Sequence, residues 1–434
     1  MASNELTVRL PTDHPLRGEL HEEVHARPSE ALQAPLRVTY LALVSDPASR
    51  AQEWQHVRAL AARYGVTAPP QDVNHFSADL GPFRLKWERH SEFARYKFIA
   101  AGAADRLFAQ PAISNVPADW LEGLTGSVIV AAHADLVMAR EGDPGHESVS
   151  TQVFGGNIVI GSRIADGAGE AYTDFRLYDG CSRFYLRNHS MSPRQAGRML
   201  QRLLEIETYR MMALMALPVA QQLTPFLTGA ERELSQITTL LAESTEADEP
   251  VLLDRLTRLE AGIESRESAH AYRFAAAAAY YELVQRRIEE LREQRIQGLQ
   301  TFREFTERRL APAMNTCRAA AARQESLSQR VARATQLLST RVDVTREKQN
   351  QAVLESMNRR AAAQLRLQQT VEGLSIAAIT YYIVGLVGYA AKGAKAAGLA
   401  VNPELAMAVS IPLVLVLGVL ALRRVRKAIK RQGH

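Results

Sequence analysis

A mixed α+β fold is predicted: an α/β N-terminal domain, then a long helical hairpin and stalk, then two C-terminal transmembrane helices. Three observations predict it. Up to about residue 190, apolar runs are short, alternate with period two and are punctuated by Gly and Pro. Beyond Ser192 the pattern is almost wholly helical. The chain then carries two uncharged apolar runs, Gly373–Ala391 and Leu405–Leu422, of 19 and 18 residues. At about 1.5 Å rise per residue each approaches the roughly 30 Å hydrocarbon thickness of a bilayer. The expected domains are 1–190, a cytoplasmic α/β domain, 191–370, a long-helix bundle and stalk, and 371–434, a membrane hairpin with a basic tail.

In chain order, Arg37–Val44 (RVTYLALV) reads as a strand, followed by a helix-spaced stripe of Trp54, Val57, Leu60, Ala61 and Tyr64. Phe83–Trp87 and Phe93–Ile99 alternate like a strand pair, and Ser127–Ala132, Ser150–Ile160, Ala171–Tyr178 and Arg183–Arg187 add further strands. Ser192-Pro193 is a cap followed by a first-turn proline, so a helix is expected over Arg194–Leu217. Pro218 and Pro225 punctuate the chain, a shorter helix covers Gly229–Ala242, and Glu243–Pro250 is a polar turn. From Val251 to about Leu310 a long helix places Leu256, Ile263, His270, Ala277, Val284, Leu291 and Phe305 on one heptad position. Ala311-Pro312 is the expected break. The helix beyond it is thinly hydrophobic, which calls for a partner helix in the same chain or in another subunit.

Charge sets the expected topology. The tail Arg423, Arg424, Arg426, Lys427, Lys430 and Arg431 has no acidic residue, whereas the loop between the apolar runs has Lys392 and Lys395 against Glu404. The positive-inside rule puts the tail in the cytoplasm, and two spans put the preceding 370 or so residues there too. A membrane location, with a lipid bilayer as partner, follows. Met1–Leu20 holds Asn4, Glu5, Arg9, Asp13 and Arg17 and no apolar core, so no signal peptide is expected. Two cysteines, Cys181 and Cys317, suggest no disulfide framework. The net charge of +5 is concentrated: Pro312–Thr370 has ten Arg/Lys against four Asp/Glu. Basic residues beside a membrane meet anionic lipid, so no nucleic-acid partner is expected.

Few motifs carry chemistry. His21-Glu22-Glu23-Val24-His25 matches H-E-x-x-H, which on a helix sets two imidazoles one turn apart for zinc. Here Pro15 and Pro28 bracket it, leaving no helix of normal length, so a zinc protease is a remote alternative. Trp87-Glu88-Arg89-His90 joins a large ring, an anion, a cation and an imidazole. On a strand, Trp87 and Arg89 share one face, with Glu88 and His90 on the other. With Arg27 and Arg89 as donors this could hold an anion or a nucleotide; the plainer reading is a packed Trp among Arg/Glu pairs. His133, Asp135, His146 and His189 lack ligand spacing. Gly155-Gly156 reads as a strand kink rather than a phosphate cradle, and Cys181 as inert. No P-loop, complete G-x-G-x-x-G or nucleophile elbow occurs, so neither a cofactor nor an enzymatic activity is expected.

Val24-His25-Ala26-Arg27-Pro28 and Lys86–Phe93 (KWERHSEF) resemble an uncharacterised bacterial family, domain of unknown function 3422, of membrane-anchored proteins. The resemblance extends over nearly the whole length. It implies no activity, but it moves weight from His21 to His25, Arg27 and the WERH cluster. The layout of α/β domain, long helices, stalk and two spans is similar to that of CorA-type magnesium channels. Ile383–Ala390 resembles the end of the first CorA span, but Tyr389 and Ala390 stand where that family has Met and Asn. Three readings follow: an oligomeric membrane-anchored scaffold or interaction protein; a channel with Ser375, Tyr382, Gly385 and Tyr389 lining a pore; and an enzyme using His25 and WERH.

Overall fold

A computed structural model describes residues 12–18, 20–21, 29–71, 73–243 and 245–432. The chain is mixed α+β, with its sheet in the N-terminal part and long helices after it. It divides into two compact units, Met1–Glu243 with Asp254–Thr335, and Ser244–Leu253 with Gln336–His434.

Among the described residues of the first unit ten strands form one sheet: β1 (Leu36–Val44), β2 (His75–Asp79), β3 (Arg84–Arg89), β4 (Phe93–Ala101), β5 (Ser127–Met138), β6 (Ile160–Ile164), β7 (Gly169–Thr173), β8 (Leu177–Tyr178), β9 (Cys181–Asn188) and β10 (Gln294–Arg295). The order is β10-β6-β7-β9-β5-β1-β4-β3-β2, with β8 paired to β9. β5 and β9 are parallel; the other pairs are antiparallel. Strand periodicity divides the apolar side chains between two faces. Val38, Tyr40, Ala42, Ile99 and Ala132 pack under α4 (Pro193–Leu214), against Met199, Leu203 and Ile206. Leu41, Leu43, Leu85, Trp87, Tyr96 and Phe98 pack with Val57 and Leu60 of α1 (Arg50–Arg63). The short helix α2 (Ala118–Glu122) adds Trp120 to that face, and α3 (His146–Val153) covers Tyr172 and Tyr185 farther along the sheet.

The cap at Ser192 forms as the sequence indicates: its hydroxyl accepts from Gln195 N, and Ser192 N donates to the Gln195 side chain, with Pro193 in the first turn. Of the expected heptad row, Leu256, Ile263, Ala277, Val284 and Leu291 of α6 (Glu249–Leu291) are buried and His270 is half-buried, whereas Phe305 lies beyond the end of α6, on the next helix.

Four expectations are corrected. Ser150–Ile160 is not a strand: α3 occupies its first part, and Gly155 and Gly156, both at positive φ, turn the chain into β6. Val149 and Phe154 are buried there, so the apparent alternation belongs to a short helix and its exit. Ala171–Tyr178 is interrupted at Phe175, which sits at φ +52. The interval from Pro218 to Gly229 does not interrupt the helix, because α5 runs unbroken over Ala216–Glu243 with Pro225 inside it.

The last correction moves the break at Pro312 upstream. α6 ends at Leu291, Arg292 turns at φ +48, and α7 (Phe302–Ala396) passes through Pro312. A capping box missed in the sequence starts α7: Glu304 N donates to the Thr301 hydroxyl and Thr301 N to the Glu304 carboxylate. Glu293 accepts from the N–H groups of Phe302 and Arg303, satisfying two more first-turn donors. Pro312 is exposed, so the backbone bond it removes lies on the solvent side. After a loop, α8 (Pro403–Gln432) closes the second unit.

Candidate functional site

His25 and Arg27, together with most of the H-E-x-x-H match, lie outside the described residues. The WERH residues lie at β3, where strand geometry separates them. Trp87 is fully buried on the α1 side, with the Arg89 guanidinium 4.9 Å over its ring. Arg89 Nε donates at 3.0 Å to Glu53 Oε2, from a carboxylate that is itself buried. Glu88 points to the opposite face, toward α4. His90 stacks on Phe93 at 4.6 Å, just beyond the strand end.

Around Glu88 the structure assembles a buried ionic layer. Pairing of β3 with β4 sets Glu88 opposite Arg95 and Lys86 opposite Lys97. Glu88 accepts from Arg95 Nε, and Lys86 Nζ lies 3.2 Å from Glu88 Oε1. Arg95 Nη1 then donates to Glu205 Oε1 on α4 at 3.0 Å. Glu205 also accepts from Gln201 and from Arg287 of α6, and Arg287 bonds Glu290 at 2.9 Å. Lys97 Nζ stands 3.6 Å from Glu30 Oε2.

Electrostatics determine what this layer can do. Burial pushes the Glu88 carboxyl upward, but Arg95 and Lys86 outweigh it and hold it at about 2. Burial acts the same way on Glu205, where Arg95 and Arg287 prevail and lower it. For Lys97, burial wins over Glu30 and lowers the ammonium. A carboxylate held ionised far below neutral pH is a poor proton donor or acceptor there, so the chemistry available to Glu88 is fixing cations. The arrangement ties β3, β4, α4 and α6 together by charge.

A second polar row crosses the opposite face. Pairing aligns Thr39 with His133 and His133 with Arg183, and the Thr39 hydroxyl lies 3.0 Å from His133 Nδ1. Burial first, then Arg183, depresses the His133 imidazole to about 4. Burial raises Asp135, although its Oδ2 accepts from Phe108 N at 2.8 Å. Among the described residues no group of three or more His, Cys, Asp or Glu side chains is placed to hold a metal.

Among the described residues three helical stretches are long and apolar enough to cross a membrane: Pro193–Glu243, Phe302–Ala396 and Pro403–Ala421, with mean hydropathies of 1.2, 1.7 and 2.3 in their most apolar windows. Within those windows 33%, 17% and 0% of residues are buried, which separates a helix that packs on a core from one that does not. In the second unit α8 lies along α7. A Cβ on Gly388 would meet Met407 Sδ at 2.5 Å, and one on Gly418 would meet Ile376 at 3.5 Å. Thr380 and Ala391 of α7 are buried on that same side. At about 100° per residue, Ser375, Tyr382, Gly385 and Tyr389 fall on the opposite side of α7. Tyr382 and Tyr389 are accordingly 72% and 75% exposed.

The family model described as "Protein of unknown function (DUF3422)" matches residues 12–429. The chain belongs to the DUF3422 family. No curated protein and no solved structure matches it. In this DUF3422 chain Glu88 finds its partners close by, Lys86 on its own strand and Arg95 across the β3–β4 pair, whereas Glu53, which meets Arg89, and the layer's further members Glu205 and Arg287 share no local pattern with β3. One signal was present. Arg95 and Lys97 alternate with Tyr96 and Phe98 inside an otherwise apolar strand, and charges spaced by two in a buried strand need counter-charges on one face.

Proposed function

We propose that this protein is a membrane-anchored interaction scaffold rather than an enzyme. In this reading its first unit is held on the cytoplasmic side of a bacterial inner membrane by a two-span hairpin. The carrying observation is α8: its most apolar window has a mean hydropathy of 2.3 and none of it is buried. Exposed leucines, valines and isoleucines at that density need an apolar solvent. The α4–α5 stretch differs, since Met212, Ala216, Ala220, Leu223 and Leu227 turn its apolar side into the protein. The hairpin is therefore Gly373–Ala391 with Leu405–Leu422, and the basic tail orients it. Self-association is part of the reading, because the stretch of α7 before the first apolar run is largely exposed among the described residues, and so long a thinly apolar helix gains stability from a partner.

A channel is the second reading. Ser375, Tyr382, Gly385 and Tyr389 lie away from α8, on a face that a ring of copies would turn inward. Its filter would differ from the Gly-Met-Asn of CorA, since Ala390 offers no side-chain acceptor for a hydrated cation.

Topology reporters test the anchoring. A fusion after His434 is expected to report cytoplasm and an insertion near Gly398 periplasm; the reverse pattern, or cytoplasm at both, contradicts the hairpin.

A further inference from the structure

On α7, alternating steps of four and three residues from Asn350 reach Leu354, Met357, Ala361, Gln364 and Gln368. The same steps continue through Val371 to Ser375, Tyr382, Gly385 and Tyr389 without a phase change. The result is a seam of about 60 Å along one continuous helix. No residue on it is charged, although Glu355, Arg359, Arg360, Arg366 and Glu372 occupy other positions of the same stretch. One step earlier comes Glu347, where the seam ends. Leu354, Met357 and Val371 are 57–61% exposed, and so are apolar flankers such as Val353, Leu365 and Leu367 at 57–66%.

A seam repeating every 3.5 residues is the pattern by which helices pack on helices. Asn350, Gln364, Gln368 and Ser375 make it unsuited to lipid over much of its length. Its occupant must be a helix of similar length, with polar groups at matching heights, passing from aqueous to apolar surroundings at the same level. A parallel copy of α7 has all three properties by construction. The way is open, because α8 covers the other side of α7.

We infer that α7 is the self-association surface of this protein. Copies pack in parallel along the seam from Asn350 to Tyr389, with α8 outside and the Tyr382 and Tyr389 rings toward the shared axis. The upper half of this arrangement rests on the membrane-anchored reading; the stalk half, 350–371, does not.

The test uses the full chain in native membranes with Cys181→Ser and Cys317→Ala as background. Single cysteines go at Ala361→Cys or Gln368→Cys on the seam, and at Arg359→Cys or Arg366→Cys across the helix. Mild oxidation is expected to link seam cysteines into dimers at least about five-fold more than the others, since bridging needs Cβ atoms within about 4.5 Å. Equal linkage at both sets, or none on the seam, overturns the proposal. Independently, Leu354→Asp with Met357→Asp is expected to turn the detergent-solubilised multimer into monomer while the chain stays in the membrane fraction. A multimer that withstands both substitutions also overturns the seam. Loss of the unsubstituted chain from the membrane fraction contradicts the anchoring reading instead.

Discussion

Arg95→Met is expected to destabilise the first unit by about 3–5 kcal/mol, because it leaves two buried carboxylates without their shared cation. Glu88 and Glu205 are 2% and 3% exposed, so water cannot replace the guanidinium. Lys86, 3.2 Å from Glu88, compensates in part, and Glu205 keeps Arg287. Urea unfolding of the full chain in mild detergent measures this. Trp54, Trp87 and Trp120, the three tryptophans of the chain, all report on the sheet face packed with α1. Acid adds a signature. Glu88 falls from its ordinary 4.5 to about 2 in the fold. Its stabilisation of about 3 kcal/mol is complete above pH 4.5 and disappears as pH falls through 2. In Arg95→Met the main opposition to burial is gone, the Glu88 carboxyl rises, and acid unfolding begins at higher pH. An unchanged urea midpoint at pH 7 contradicts the role given to the ionic layer.

Gly197→Ala is expected to be comparably damaging, for a steric reason. Gly197 lies in the early part of α4, and a methyl group there would overlap the Glu30 carbonyl oxygen. The strap carrying Glu30 is pinned close by, since Leu32 N donates to Pro193 O at 2.9 Å. Ala stabilises a helix interior by about 1 kcal/mol over Gly, but the clash costs about 3 kcal/mol or more and determines the sign. Displacing Glu30 also takes the carboxylate from buried Lys97, 3.6 Å away. The same unfolding measurement checks it; a midpoint equal to or above that of the unsubstituted chain contradicts the close approach.

The fold was legible where local periodicity and caps agree. β1, the β3–β4 pair, the Ser192 cap and the buried heptad of α6 all follow from spacing alone. The misreadings occurred where tertiary context decides. Ser150–Val153 alternates like a strand yet forms a helix, because Val149 and Phe154 are the residues the core takes. Pro312 looks like a breaker, but the Thr301–Glu304 box and Glu293 start α7 ten residues earlier and the helix carries the proline on its wet side. For the WERH residues, alternation correctly divided Trp87 and Arg89 from Glu88. Glu88 meets Lys86 and Arg95 within the β3–β4 pair, but Arg89 meets Glu53 of α1 and the layer continues from Arg95 to Glu205 of α4 and Arg287 of α6; contacts over such separations are fixed by sheet register and helix packing, which leave no local trace in one sequence. For α7 the sequence showed a thinly hydrophobic helix in need of a partner and a possible pore-lining set of Ser375, Tyr382, Gly385 and Tyr389, and the structure adds which side of the helix α8 leaves open.

The central claim, that lipid surrounds the last two helices, is tested most directly by carbonate extraction of membranes from cells making the full chain beside a version ending at Thr370. The full chain is expected to remain in the pellet at high pH, and the shortened one to appear in the supernatant. A full chain released by carbonate, or found in the supernatant after lysis alone, contradicts the account.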